Sequence, residues 1–176
     1  RHQDRWQKGN ALTREDHKED MELIYEIGAT TIRLAHYQHN QYFYDLCDEY
    51  GLYVIDENNL ESHGTRKMGN ETYLLPDGRP EWTPSCMDRI ESLYERDKNH
   101  PSVIIWSLGN ESGMGKNQLK MRDYIKSRDK DALVHYEGCT GGHTPKSKEH
   151  HNEMDLDSHM YTHPDMCESF IKDKKE

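Results

Sequence analysis

The sequence predicts an α/β fold built on parallel strands, and three observations predict it. Helical and strand-like segments alternate through five strands. One of them, Val103-Ile104-Ile105-Trp106-Ser107-Leu108, is the continuous apolar run of a strand buried on both faces. Polar residues collect just after the strands, where a parallel barrel builds its mouth. A barrel and an open doubly wound sheet both fit the alternation. No Gly-x-Gly-x-x-Gly follows the first strand, which weakens the nucleotide-binding form. A complete (β/α)8 barrel takes about 250 residues, so a barrel made from these 176 is incomplete.

Each element has a local reason. Thr13-x-x-Asp16 reads as a capping box; Met21, Ile24 and Ile27 then share a helical face, and Gly28 stops the helix. Ala29 to His36 is rich in β-branched residues and reads as a strand. From Asn40 to Tyr50 a helical stripe of Tyr42, Phe43, Leu46, Cys47 and Tyr50 runs up to Gly51. Leu52-Tyr53-Val54-Ile55 is a short strand leading into Asp56-Glu57, and a Gly- and Pro-bearing loop spans about Asn58 to Trp82. Ser85-x-x-Asp88 opens a helix striped by Met87, Ile90 and Tyr94 and broken at His100-Pro101. After the apolar strand come a helix from about Asn117 to Arg128 and a strand from Ala132 to Tyr136. Gly138 to Glu153 is a loop, Met154 to Tyr161 a weak strand, and Pro164 begins a last helix. No linker or internal repeat divides this single domain.

Bulk properties narrow the function classes. Charged residues make up 32% and mean hydropathy is -1.16, yet the apolar residues are clustered, which argues against disorder. The net charge of -10 disfavours nucleic acid, whose phosphates need a basic face, and suits a neutral ligand such as a sugar. No apolar run spans a membrane and no signal-peptide pattern is present. Cys47, Cys86, Cys139 and Cys167 are widely and irregularly spaced, which reads as reduced thiols in a cytoplasmic protein. Most of the 12 histidines, such as His143, His150 and His151, sit in polar stretches and read as solvated. The chain opens on Arg1 in a polar run and closes on Lys172-Asp173-Lys174-Lys175-Glu176, so both ends look like cuts through a longer polypeptide.

The candidate chemistry lies at the strand ends. His36 ends one strand; Asp56, Glu57, Glu61 and His63 follow the next; Asn110 and Glu111 follow the third, and Tyr161 ends the last. Glu111 lies among two glycines and small polar residues, where substrate has access. Desolvation and like charge suit such a carboxyl to general acid catalysis; the alternative is that it caps the following helix. Asn110 is placed to hydrogen-bond a sugar hydroxyl. Glu61 and His63, two residues apart in extended chain, point the same way and are able to share an ion; the alternative is a solvated loop pair. By ligand softness alone the imidazole points to zinc or manganese rather than magnesium.

Four segments carry a family resemblance: Thr31 to Tyr37 (TIRLAHY), Leu46 to Glu57 (LCDEYGLYVIDE), Glu61 to Gly64 (ESHG) and Arg96 to Gly113 (RDKNHPSVIIWSLGNESG). They resemble glycoside hydrolase family 2, most closely its β-galactosidases. The resemblance covers nearly the whole chain and is weakest from about Thr140 to Glu153. It implies a partial (β/α)8 TIM barrel, about strands 2 to 6, lacking the first strand and the last two. It further implies hydrolysis of terminal β-D-galactosides with retention, by double displacement between two carboxyls. On it, Glu111 is the acid/base and Asn110 its sugar-binding neighbour, while Glu61, His63 and Glu111 are ligands of magnesium. His36 contacts the galactose, His2 is a second histidine at the end of the first strand, and Tyr161 is a substrate-site tyrosine. The parent enzyme is expected to be a homo-oligomer. Other family 2 sugars, β-glucuronides or β-mannosides, and a non-catalytic interaction piece are the competing readings.

Two departures bear on these expectations. Gln38-His39 follows His36-Tyr37 where the family carries Pro. The family's nucleophilic glutamate belongs to a Cys-Glu-Tyr type segment at the end of the seventh strand, and no such segment occurs here. Glu137 also follows a strand but does not match the nucleophile. By itself this polypeptide is therefore expected to be inactive or only feebly active, with open sheet edges that favour association.

Overall fold

The computed structural model describes residues 1–67, 75–76, 79–137 and 153–173. Most of the Gly138 to Glu153 loop, with Cys139 and His143, His150 and His151, lies outside them, as does part of the loop from Asn58 to Trp82. Among the described residues five α-helices and four strands alternate: α1 Arg14–Glu26, β1 Thr31–Leu34, α2 Gln41–Tyr50, β2 Tyr53–Glu57, α3 Thr83–Asp97, β3 Val103–Ser107, α4 Lys116–Arg128, β4 Leu133–His135 and α5 Pro164–Asp173. The strands form one parallel sheet in the order β1-β2-β3-β4, an arc of a barrel. No described helix is long and apolar enough to cross a membrane.

Helix ends follow their caps. The Thr13 hydroxyl accepts from the Asp16 N–H (3.3 Å) and the Asp16 carboxylate accepts from the Thr13 N–H (2.8 Å). Lys8 and that cap pull the Asp16 carboxyl down to about 2. The Asn40 side chain caps α2 through the Tyr42 N–H (3.0 Å). Gly28 (φ +73°) and Gly51 (φ +71°) end α1 and α2 in left-handed backbone, which glycine enters without steric cost. The predicted α1 stripe holds for Met21 but not for Ile27, which is 81% exposed because the helix ends one residue earlier. Helix α3 starts at Thr83, two residues before Ser85. A 3-10 turn, Pro80–Trp82, leads straight into it, and Pro84 is tolerated in a first turn whose N–H groups are unpaired anyway.

The core has two halves. Met21, Phe43, Tyr44, Leu46 and Cys47 from α1 and α2 pack on Leu34 and Val54 of β1 and β2. Ile90, Leu93, Met121 and Ile125 from α3 and α4 pack on Trp106 and Val134 of β3 and β4. Each fully buried side chain of this size stabilises by about 1.5–3 kcal/mol. The stretch from Met154 to Tyr161 does not form the expected fifth strand. Asp155 explains why. Its N–H reaches the Val134 carbonyl (3.0 Å), but the Val134 N–H is taken by the Asp155 side chain (2.8 Å), where a strand would offer a main-chain carbonyl. The ladder stops there.

Candidate active site

Register builds the mouth. Leu34, Asp56, Trp106 and Val134 are partners in one row across the four strands, and the row packs outward against the helices. Strand side chains alternate in direction, so the next row, Glu57, Ser107 and His135, faces the barrel interior. These three side chains are buried and hydrogen-bonded in series. The Ser107 hydroxyl donates to Glu57 Oε2 (2.8 Å), so its oxygen accepts from His135 Nδ1 (2.9 Å). Burial, then the Arg33 charge, lowers His135 to about 4, so the ring is neutral with its proton on Nδ1. Its Nε2 therefore accepts from the Ser158 hydroxyl (3.1 Å).

Glu57 is also tied to β1. Its Oε1 accepts from His36 Nδ1 (2.6 Å) and its Oε2 from Arg33 Nε (2.7 Å). Arg33 Nη2 then donates to Asn110 Oδ1 (2.9 Å), which turns the Asn110 amide nitrogen onto Glu61 Oε2 (2.6 Å). The Asn110 orientation is thus fixed, with its NH2 as the group offered to a ligand. His2 lies against His36, ring centroids 5.4 Å apart and edge-on. It sits there because Arg1 pairs with β1 in parallel fashion, its N–H on Arg33 O (2.5 Å) and its carbonyl accepting from Ala35 N (3.0 Å).

Past the strand ends the two loops stay zipped together. Asn58 N–H donates to Ser107 O (2.9 Å), Asn110 N–H donates to Leu60 O (2.9 Å), and Glu61 pairs with Asn110 as a parallel bridge. Gly109 (φ +138°) permits this approach: a Cβ there would stand 2.6 Å from Leu60 O. Two residues on, Glu111 takes left-handed backbone, φ +38°, which costs a side-chain-bearing residue about 1–2 kcal/mol. That turn swings its carboxylate to His63 Nδ1 (2.7 Å), while His63 N–H donates to Glu61 Oε1 (3.1 Å). Ligand atoms of Glu61, His63 and Glu111 all lie within 4.8 Å of one another. An octahedral ion with bonds of about 2.0–2.1 Å needs donors about 3–4 Å apart, so the three fit one small divalent cation with modest closing.

The helix-cap alternative for Glu111 is set aside by position, since α4 begins at Lys116, with Gly115 as its cap residue. The structure brings Glu61, His63, Asn110 and Glu111 together and sets His2 beside His36. Sequence reasoning did not connect Glu57, Ser107, His135 or Arg33. The signal available was a serine inside an apolar strand and a histidine at the end of another. Tyr161 stands apart, 92% exposed in a turn before α5. The Gln38-His39 departure turns inward: His39 is buried beside Tyr37 and Phe43, and burial lowers it to about 3.

Fold and mouth together define a parallel (β/α) barrel domain with clustered carboxylates at the C-terminal ends of its strands. The model for glycosyl hydrolases family 2, TIM barrel domain, matches residues 1–176, and the chain belongs to that family. It is 43% identical over 176 residues to β-galactosidase BgaC of Bifidobacterium adolescentis, with 98% of this chain and 16% of that protein covered. It is 42% identical over 174 residues to a β-galactosidase of Streptococcus thermophilus, covering 97% of the chain and 16% of the relative. An FMN-binding β-glucuronidase from Facaelibacterium prausnitzii L2-6 superposes with a TM-score of 0.76 at 33% identity, over 99% of this chain and 27% of that one. The chain thus spans about a sixth of the first curated relatives it matches.

Proposed function

We propose that this chain forms part of a retaining β-galactosidase, in which Glu111 is the acid/base that protonates the glycosidic oxygen and later activates water. The observation that carries the reading is the Glu111 carboxylate at the end of β3, clustered with Glu61 and His63 at the barrel mouth. Asn110, with its amide fixed by Arg33 and Glu61, offers an N–H to a sugar hydroxyl; His36 and His2, ring against ring, extend the sugar-binding set, and Tyr161 stands apart from them. Glu111 is one of the two carboxyls that double displacement needs about 5–5.5 Å apart; the second is assigned to none of the described residues. Similarity to named β-galactosidases at 42–43% identity supports the sugar.

Glu61, His63 and Glu111 would hold the magnesium ion. When bound, it supplies a fixed positive charge that keeps both carboxylates in one orientation. A cytoplasmic enzyme with reduced cysteines belongs to the same reading, in keeping with the buried free thiols of Cys47 and Cys86. Homo-oligomeric assembly of the parent enzyme belongs to the same proposal.

A β-glucuronide reading draws on the glucuronidase superposition. The described mouth does not favour it. A uronate needs a cation, and Arg33 is already engaged by Glu57 and Asn110, while Glu57, Glu61, Glu111 and Glu137 make the surroundings acidic.

The test is Glu111→Gln in the full-length polypeptide that carries this segment, assayed on aryl β-galactosides and β-glucuronides. Loss of a general acid predicts a fall of about 10²–10⁴-fold on unactivated galactosides. Comparable rates for variant and parent would sink the assignment of Glu111, and a preference for glucuronides would sink the sugar. Chelation should lower activity, and added magnesium should restore it.

A further inference from the structure

We infer that Glu137 is a positioning residue that fixes the backbone turn carrying the Glu111 carboxyl, an inference that rests on Glu111 being the acid/base. Two consecutive residues leaving β4 grip that turn. Glu137 Oε1 accepts the Glu111 main-chain N–H at 2.6 Å. The Tyr136 phenol donates to the Ser112 carbonyl, one peptide further on. Both side chains are buried, at 2% and 0% exposure.

The bond to the Glu111 N–H needs a side-chain oxygen at this reach, which Glu137 supplies and a shorter side chain does not. Left-handed backbone at a residue with a side chain persists only where its surroundings over-determine it. Here Gly109 and Leu60 hold the turn from the β2 side, and Glu137 and Tyr136 hold it from the β4 side. Remove Glu137 and the φ of Glu111 is no longer fixed, so the carboxyl loses its aim. Glu137 is not itself suited to attack a sugar, because it is buried and one oxygen is committed to the amide. Nor is it among the residues whose ligand atoms share the Glu61, His63 and Glu111 cluster.

A misaimed acid has a kinetic signature. Protonation of the leaving oxygen matters for a poor leaving group and little for a good one. In the full-length polypeptide, kcat/KM is measured for dinitrophenyl and phenyl β-galactosides, with thermal unfolding of each variant alongside. Glu137→Ala should lose about 10²-fold on the phenyl substrate, the scale of a small misplacement of a reacting group. It should lose far less on the dinitrophenyl substrate. Glu137→Gln keeps an acceptor at the same reach and should recover most of the loss. Glu137→Asp keeps the charge but not the reach and should behave like Glu137→Ala, so the Asp and Gln contrast decides the matter if the alanine variant does not fold. Equal losses on both substrates, or a Gln variant as impaired as the Asp variant, overturn the inference. Glu111→Gln is run in parallel. If it shows the leaving-group dependence and Glu137→Ala does not, only the inference on Glu137 falls. If Glu111→Gln itself shows none, the acid/base reading falls and takes this inference with it.

Discussion

At the scale of single residues the site depends on Gly109 as much as on any charged group. A Cβ at this position would meet Leu60 O at 2.6 Å and Leu60 Cβ at 2.8 Å, and its φ of +138° is closed to side chains. Gly109→Ala must therefore push the Asn58–Glu61 segment away from Asn110 and open the Glu61, His63 and Glu111 cluster. We predict a stability loss of about 1–3 kcal/mol, the usual cost of overpacking, together with weaker magnesium binding, read by thermal denaturation and by titration calorimetry. An unchanged magnesium affinity would show that the cluster does not need the close approach. The residues legible in the sequence were those whose chemistry is local: Glu61 and His63 two apart, Asn110 and Glu111 adjacent. Glu57, Ser107 and His135 come from three different strands and meet only through register. Register is set by pairing and packing of the whole sheet, so no single segment announces it.

At the scale of elements, a buried acid joins β2, α2 and α3. Asp56 on β2 is fully buried; the Tyr44 phenol of α2 donates to its Oδ1 (2.7 Å), and Oδ2 has no donor among the described residues. Burial first, and the Asp97 carboxylate at the end of α3 second, push the Asp56 carboxyl well above the usual range. A proton on Oδ2, donated to Asp97, satisfies the orphaned oxygen, while Arg96 neutralises Asp97 (2.7 Å). The folded state therefore binds this proton more tightly than the unfolded chain, whose carboxyl titrates near about 3.9. Above that value the folded state carries the extra proton, so this contribution to stability falls as pH rises towards the raised folded value. Asp56→Asn carries the neutral, donating form permanently. Its melting temperature relative to the parent should climb between about pH 5 and about pH 8; a difference that stays flat or declines would refute the protonated pair. Helix ends were readable from Thr13, Asn40, Gly28 and Gly51 because capping is local. The missing fifth strand was not, because it turns on one side chain, Asp155, displacing a carbonyl from a neighbour's N–H.

At the scale of the whole molecule, the four-stranded arc leaves surface that a closed barrel would cover. Leu133 at the β4 edge and Tyr53 on β2 are exposed, as are Leu23, Tyr25 and Ile27 around the end of α1. The inner row at the mouth is polar and internally hydrogen-bonded, so it tolerates water. In the row below it, Ile55, Ile105 and Leu133 are apolar beside the charged Arg33, and of these three Leu133 is exposed, Ile55 half-buried and Ile105 buried. Apolar area exposed to water costs about 25 cal/mol per Å², and the sheet ends at β1 with only Arg1 pairing there among the described residues, an edge open to a neighbour. Both favour pairing with another copy over standing alone. A net charge of -10 opposes this through repulsion, but that repulsion is screened within about 8–10 Å at ordinary salt. Contact between apolar rows is not screened. We therefore predict that residues 1–176, prepared alone, associate in a concentration-dependent way, and more so as salt is raised. Light scattering over a dilution series at low and high salt reads this directly. A monodisperse monomer at all concentrations and salts would refute the prediction, because it would show that the exposed apolar side chains and the open edge do not drive association.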